Sequence, residues 1–378
     1  MTINEQIESG VSEIVLTADT AEQITIPKWA NVVLDLAGFT LGGDGATHTI
    51  INNGILRIKD TSSAMTGTIH CDVKSCANIF NNFGGNLTVD RAILTRGSNS
   101  WYCIHNWGSL VLINYVQIDI GGNAAAIHNG FYSPKAENPD GVFCNMVIND
   151  ALITTTGSPN ACVKNDEYGI MSITGGKYVS ATQYAVNTWN DLTITGGTFI
   201  SNAATPLVCG STPSAGGHCE LKVRGGTFKG ATGIVTDCSE GKSDPEYVAP
   251  VWAVAGGQYS PAIETTYLAE GIELVPLPDG SYGVEIMSAN GWKVERGTNA
   301  AGFIGLSGAV FKNASLEYTA GGIELPVAGF VPTAVIGASA VGGLEAYYDA
   351  ANKKIILYKN GAEASGTLTD VTLVVIGQ

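Results

Sequence analysis

Positive charge is scarce in this 378-residue chain. Nineteen Lys and Arg face thirty-four Asp and Glu, a formal net charge of −15, and no cluster of more than two basic residues occurs. Nucleic acid and anionic membrane surfaces both attract basic patches, so neither is expected as a partner. Apolar runs of 18 or more residues are missing, so no membrane-spanning helix is expected. The first ten residues, MTINEQIESG, are acidic and lack the apolar core of a secretion signal, so no signal peptide is expected. Helical periodicity is absent beyond Ile3 to Ser9, which excludes arrays of paired helices. Eight cysteines are present, but no Cys-x-x-Cys pair has histidines at zinc spacing. No Asp-rich constellation suits a cation either. No metal and no cofactor are therefore expected.

What the chain does have is a returning phrase. It reads MSITGGKYVS at 171–180, LTITGGTFIS at 192–201, LKVRGGTFKG at 221–230 and WAVAGGQYSP at 252–261. Each copy is a short alternating strand, a Gly-Gly corner and a second short strand with an aromatic residue. A looser phrase, apolar–x–Asn followed by Leu–x–Ile, precedes most copies and reaches back to IINNGILRI at 50–58. The first strand residues after the turns are Leu56, Leu87, Leu110, Met146, Met171, Leu192, Leu221 and Trp252, at steps of 21 to 36 residues. A period in this range marks a stack of similar units with loops of variable length. The strands are short and rich in Ile, Val, Leu and Thr, bounded by Gly, Asn and Asp. A coil of three short strands fits best, each coil pairing its backbone with the next at roughly 4.8 Å per rung. Nine or ten coils would make a rod roughly 45 Å long. Ile3 and Ile7 are expected on a capping turn that covers the open end of the first coil.

Residues 24–43, the phrase at 50–58 and the Gly-Gly-aromatic copies together resemble right-handed parallel β-helix repeats of the pectate-lyase-like superfamily. The nearest likeness is to the forms common in gut bacterial surface proteins and their phages. The resemblance covers 1–285, with a terminal hairpin in 255–285, and implies an all-β, right-handed parallel β-helix. Residues 286–378 lose the period and show alternating strands instead: GIELPVAGF, TAVIGASAV, a hairpin turning at Tyr348-Asp349 and Asn352, and an apolar final strand, VTLVVIG. They predict a small antiparallel β-sandwich. The segments Gly321 to Leu325, Tyr348 to Tyr358 and Val371 to Gly377 resemble a C-terminal module of tailed-phage virion structural proteins. That likeness implies trimerisation or docking to the particle.

Asn53, Asn82, Asn106, Asn129 and Asn165 read as one column at equivalent corners. Asn tolerates the left-handed conformation of a sharp corner, and stacked amides bond from rung to rung. On that reading Asn106→Ala costs roughly 1–3 kcal/mol. A second column reads Asn52, Asn81, His105, His128, Lys164 and Asn187, and is expected to be a solvated edge. Its alternative is catalytic: His105 and His128 one coil apart, with Asp166 and Glu167 one coil further, suit general acid–base work or, as paired carboxylates, glycoside cleavage. Trp101, Trp107, Tyr132 and Trp189 lie near mid-stack corners, where they suit glycan stacking, subunit contact or local packing. Cys103 and Cys162 precede equivalent turns and are expected inside and reduced. The alternative is that Cys71–Cys76 or Cys209–Cys219 pairs oxidise outside the cell.

These readings converge on a non-enzymatic virion structural protein, a fibre, spike or head-decoration protein made in the host cytoplasm and displayed on the particle. Its expected partners are copies of itself, as a homotrimer, capsid or tail proteins, and a host-surface glycan. A tailspike-type polysaccharide depolymerase is the alternative, and a bacterial surface adhesin the second.

Overall fold

A computed structural model describes residues 1–43, 45, 47–96, 101–121, 124–132, 134–157, 161–287, 293–297, 307–318, 322–323, 332–340, 343–352 and 354–377. It divides into two compact units. One comprises 1–267 with 276–282, the other 268–275 with 283–378.

The first unit is a parallel β-helix with three faces. Among the described residues, the first sheet stacks ten strands, from Glu13–Val15 to Val251–Val254. The second carries ten parallel strands, from Thr20–Ala21 to Gln258–Ser260, and the third nine, from Ile24–Ile26 to Val235–Asp237. One coil shows the path: Ile104–Asn106 lies in the third sheet, Ser109–Ile113 in the first, Val116–Ile120 in the second. The chain then returns to the third sheet at Ile127–Asn129, and Ile104 pairs with Ile127 in register. Alternation sends every second side chain inward. Leu56, Leu87, Leu110, Met146, Met171, Leu192 and Leu221 thus stack as one buried column. Each such side chain contributes about 1.5–3 kcal/mol by leaving water.

The Gly-Gly corner has two separate causes. A Cβ on Gly196 would sit 2.4 Å from the Thr174 carbonyl oxygen of the coil beneath, so the first glycine permits close stacking. Gly197 has φ +102°, a conformation that side chains resist. The aromatic residues that follow, Tyr178, Phe199, Phe228 and Tyr259, stack inside the second sheet with centroids 4.8, 4.9 and 5.3 Å apart.

The expected cap is present. Ile3–Glu8 is a helix whose start is closed by a capping box between Thr2 and Glu5. Ile3 and Ile7 are buried, and the Glu22 carboxylate accepts the Ile3 and Asn4 amides at 2.9 Å.

All eight cysteines are free, and Cys103 and Cys162 are fully buried as expected. Burial pushes both thiols up to about 12. Only Cys76 and Cys238 are partly open to solvent. A thiol reagent is therefore expected to titrate eight groups in denaturant and no more than two in the native protein. Fewer than eight after unfolding without reductant would reveal a disulfide.

The second unit is antiparallel. Ser307–Tyr318 and Gly366–Gly377 pair along their length, with Pro332–Ser339 on the far side of the latter. Glu345–Asp349 and Lys354–Lys359 form the expected hairpin, and the Asp349 carboxylate accepts the Ala351 and Asn352 amides at its turn. Both sheets contribute to one core, including Phe311, Leu373, Ile355 and Leu357. Of the strand expected at 322–330, only Gly322 and Ile323 are described, and Ile323 bridges to Ile355. Most of the Gly321 to Leu325 match lies outside the described residues.

Candidate functional site

The middle of the third sheet holds the chemistry-bearing residues. Its three-residue strands point their first and third side chains inward and the second outward. The third position is an amide ladder: Asn52 donates to Asn81, Asn81 to Asn106, Asn106 to Asn129 and Asn129 to Asn165, at 2.6–2.7 Å. All five are buried. This corrects the expected column, since Asn53 and Asn82 stand one residue further, outside the ladder. They make a rung-to-rung bond of their own beside it, the Asn82 amide donating to Asn53 at 2.9 Å, and the Asn82 oxygen accepts the Phe83 amide at 2.8 Å. Two residues separate Asn52 from the next strand and four separate Asn81 from its own. Uneven corners defeat an alignment by sequence, whereas backbone register does not drift.

The same slip affects the outward column. It reads Ile51, Phe80, His105, His128, Lys164 and Asn187. Asn52 and Asn81 face inward, so they do not belong to it. Nor is its centre a solvated edge: His105 is 4% exposed and His128 1%. Loop residues cover them. Trp101 meets His105 edge-on at 4.7 Å, and Tyr102 stacks on His128 at 4.5 Å and 12°. Phe80 and Trp107 complete the enclosure of His105 at 5.2 and 5.1 Å. Arg96 fastens the cover by donating to the Tyr102 carbonyl at 2.5 Å and to that of Cys76. Phe80 and Arg96 carry no pattern of their own in the sequence; the one hint is that Phe80 stands beside Asn81.

The two histidines differ in their partners. Neither ring nitrogen of His105 has a hydrogen-bond partner among the described residues. Burial, and then the charges that His128 and His48 would carry, hold it well below the ordinary 6.5. It packs as a neutral aromatic ring. His128 sits 4.8 Å away and places Nε2 2.7 Å from Asp166 Oδ2. Lys164 donates to the same oxygen at 2.6 Å, its amine 5.0 Å from the Tyr132 ring centroid. Burial alone would raise the Asp166 carboxyl. The His128 hydrogen bond and charge, with the Lys164 amine, outweigh it and hold the group below the usual value.

Four candidates therefore separate into two groups. His105, His128 and Asp166 are contiguous. Glu167 turns away and accepts the Thr212 hydroxyl at 2.8 Å. Trp101 and Trp107 enclose His105, and exposed Tyr132 lies under Lys164. Half-buried Trp189 stands at a later corner, its amide donating to the Asn165 carbonyl. A His–Asp pair of this kind can relay a proton, but the other ring nitrogen, His128 Nδ1, is shielded from solvent and has no hydrogen-bond partner among the described residues. Among the described residues, no group of three or more His, Cys, Asp or Glu is placed to hold a metal ion, and no helix is long and apolar enough to cross a membrane.

The burial of neutral His105 makes stability fall on acidification. An unfolded chain takes a proton at His105 as pH drops below about 6.5, while the folded one does so only at much lower pH. Stability from this residue is thus full above that value and is lost below it, at up to about 1.4 kcal/mol per pH unit. Thermal melts from pH 7 to 5 are expected to show the decline, and His105→Phe to flatten it. An unchanged slope in the variant would refute the assignment.

No family model, characterised protein or solved structure matches the chain.

Proposed function

We propose that this chain is a non-enzymatic structural protein displayed on a virion, where its β-helix serves as a spacer and adhesive surface. The observation that carries the reading is the use made of the third-sheet column. Its reactive groups are taken up by packing: His105 is neutral and enclosed, and Asp166 is occupied by His128 and Lys164. Cleavage of a polysaccharide needs a carboxylic acid and a carboxylate free to face a sugar, and this column offers no such pair among the described residues. An adhesive spacer needs stiffness, and the amide ladder supports that. The acidic charge adds mutual repulsion where many copies are displayed, and repeated copies give avidity. The antiparallel C-terminal unit suits subunit association or docking to capsid or tail proteins, with a homotrimer as the assembly.

Gold-labelled antibody against the chain is expected to mark assembled particles, and sedimentation of the purified protein to give the mass of a trimer. Absence from particles would sink the virion assignment. Release of reducing ends from a host polysaccharide, abolished by Asp166→Asn or His128→Ala, would replace it with the depolymerase.

A further inference from the structure

The corner between the third and first sheets is not uniform along the stack. At residues 166–168 and 189–191 it takes three residues. On either side it carries long insertions, at 130–143, 210–219 and 238–250. Short corners between long ones leave a notch, and in solenoids such insertions gather on one face. The notch is a cleft of about 890 Å³. Glu167 and Tyr168 line it from a short corner. Asn138 and Pro139 line it from the first insertion, Thr212 and Ser214 from the second. Asp244 and Glu246, from the third, are exposed at its rim.

The cleft is built in advance. Gly216 accepts the Tyr168 amide at 2.7 Å and the Asn190 side chain at 2.5 Å. A Cβ on Gly216 would lie 2.2 Å from the Tyr168 ring, so the insertion packs directly against it. Phe143 meets the same ring edge-on at 5.3 Å. Asn138 closes its own loop through reciprocal bonds with Val142. Tyr168 holds φ +61°, an uncommon backbone for a bulky residue, which this packing maintains.

One group is left over. Glu167 Oε1 accepts the Thr212 hydroxyl, but Oε2 is shielded from water and has no partner among the described residues. A buried acceptor without a donor is a cost that a shift of the Glu167 side chain into the cleft would relieve. Among the described residues the lining also includes two further carboxylates and no Lys or Arg. Such a site suits a ligand rich in donors and free of negative charge. A volume in this range fits a short chain of sugar rings, with a half-buried tyrosine to pack against them.

We infer that the cleft framed by Glu167, Tyr168, Thr212 and Glu246 binds a short oligosaccharide without acidic groups, whose hydroxyl or amino hydrogens meet the carboxylates of its lining. This deepens the adhesive part of the function proposed above, and rests on it only in that the sugar is held and not cleaved. It assigns the role to Glu167 and sets it apart from the covered histidines.

The test is an array of neutral, amino-bearing and acidic oligosaccharides probed with the purified full-length chain, followed by calorimetry on the strongest hit. Hits confined to the neutral and amino-bearing sets are expected. Glu167→Gln and Tyr168→Asn, the latter tolerant of the left-handed backbone, are expected to weaken binding at least tenfold. Glu246→Gln, on the exposed rim, is expected to weaken it several-fold with an unchanged melting temperature. No hit at all, hits among acidic glycans, or hits indifferent to all three variants would overturn the inference. Cleavage of a bound glycan would instead overturn the non-enzymatic reading and leave the ligand class standing. Particle labelling reports on the virion assignment independently.

Discussion

Replacing Asn106 with Ala is expected to destabilise the β-helix by about 3–5 kcal/mol, more than a corner asparagine would suggest. The side chain is fully buried at the centre of the ladder. Its amide donates to Asn129 at 2.6 Å and to the carbonyls of Gly108 and Asn145 at 3.2 Å. Its oxygen accepts from Asn81 at 2.6 Å and from the Gly108 amide at 3.2 Å. Truncation removes all of these and strands Asn81 and Asn129 without water to replace the lost partner. Asn53→Ala is the matched control. It removes one partly buried bond from Asn82 and is expected to cost about 1 kcal/mol or less. Chemical denaturation of the two variants decides between the register of the backbone and the alignment by sequence. Equal losses would refute the ladder as placed here.

Phe199→Ala is expected to cost a further about 3–5 kcal/mol by a different route. Phe199 lies between Tyr178 and Phe228, with interplanar angles of 3° and 8°, and none of the three is exposed. Removing the middle ring of a stack leaves a cavity that its neighbours cannot fill, because each is fixed by its own coil. Phe199→Leu, which keeps most of the volume, is expected to cost about 1–1.5 kcal/mol. Denaturation midpoints measure both, and a Phe199→Ala loss no larger than that of Phe199→Leu would show that the column relaxes.

Much of the β-helix was legible without coordinates. The Gly-Gly-aromatic phrase corresponds to the second-sheet stack, and the leucine anchors to the first-sheet column. The cap at Ile3 and Ile7 was readable because helix periodicity is a local signal. The third sheet was readable only in part. Its strands are three residues long, and corners of two to four residues hide which of two adjacent asparagines faces inward. Asn106, Asn129 and Asn165 were placed correctly where a single asparagine offered no choice. Asn53 and Asn82 were misplaced where a pair did.

The candidate site was legible as a set of residues but not in its environment. His105, His128 and Asp166 were named together, and they do meet. Their burial was invisible, because the rings that cover them, Trp101 and Tyr102, come from a loop that precedes the strand. Glu167 was grouped with Asp166 by adjacency, yet consecutive residues at a tight corner point apart. One faces a histidine and the other a cleft.

The sequence by itself determined the stacking of this protein. Coil pairing repeats along the chain, so its period, its glycines and its inward columns are written at every turn. Only the tertiary structure decided which outward residues meet solvent. That depends on loops from separate coils folding over a shared corner, and their contacts, such as Thr212 with Glu167, join positions that no period relates.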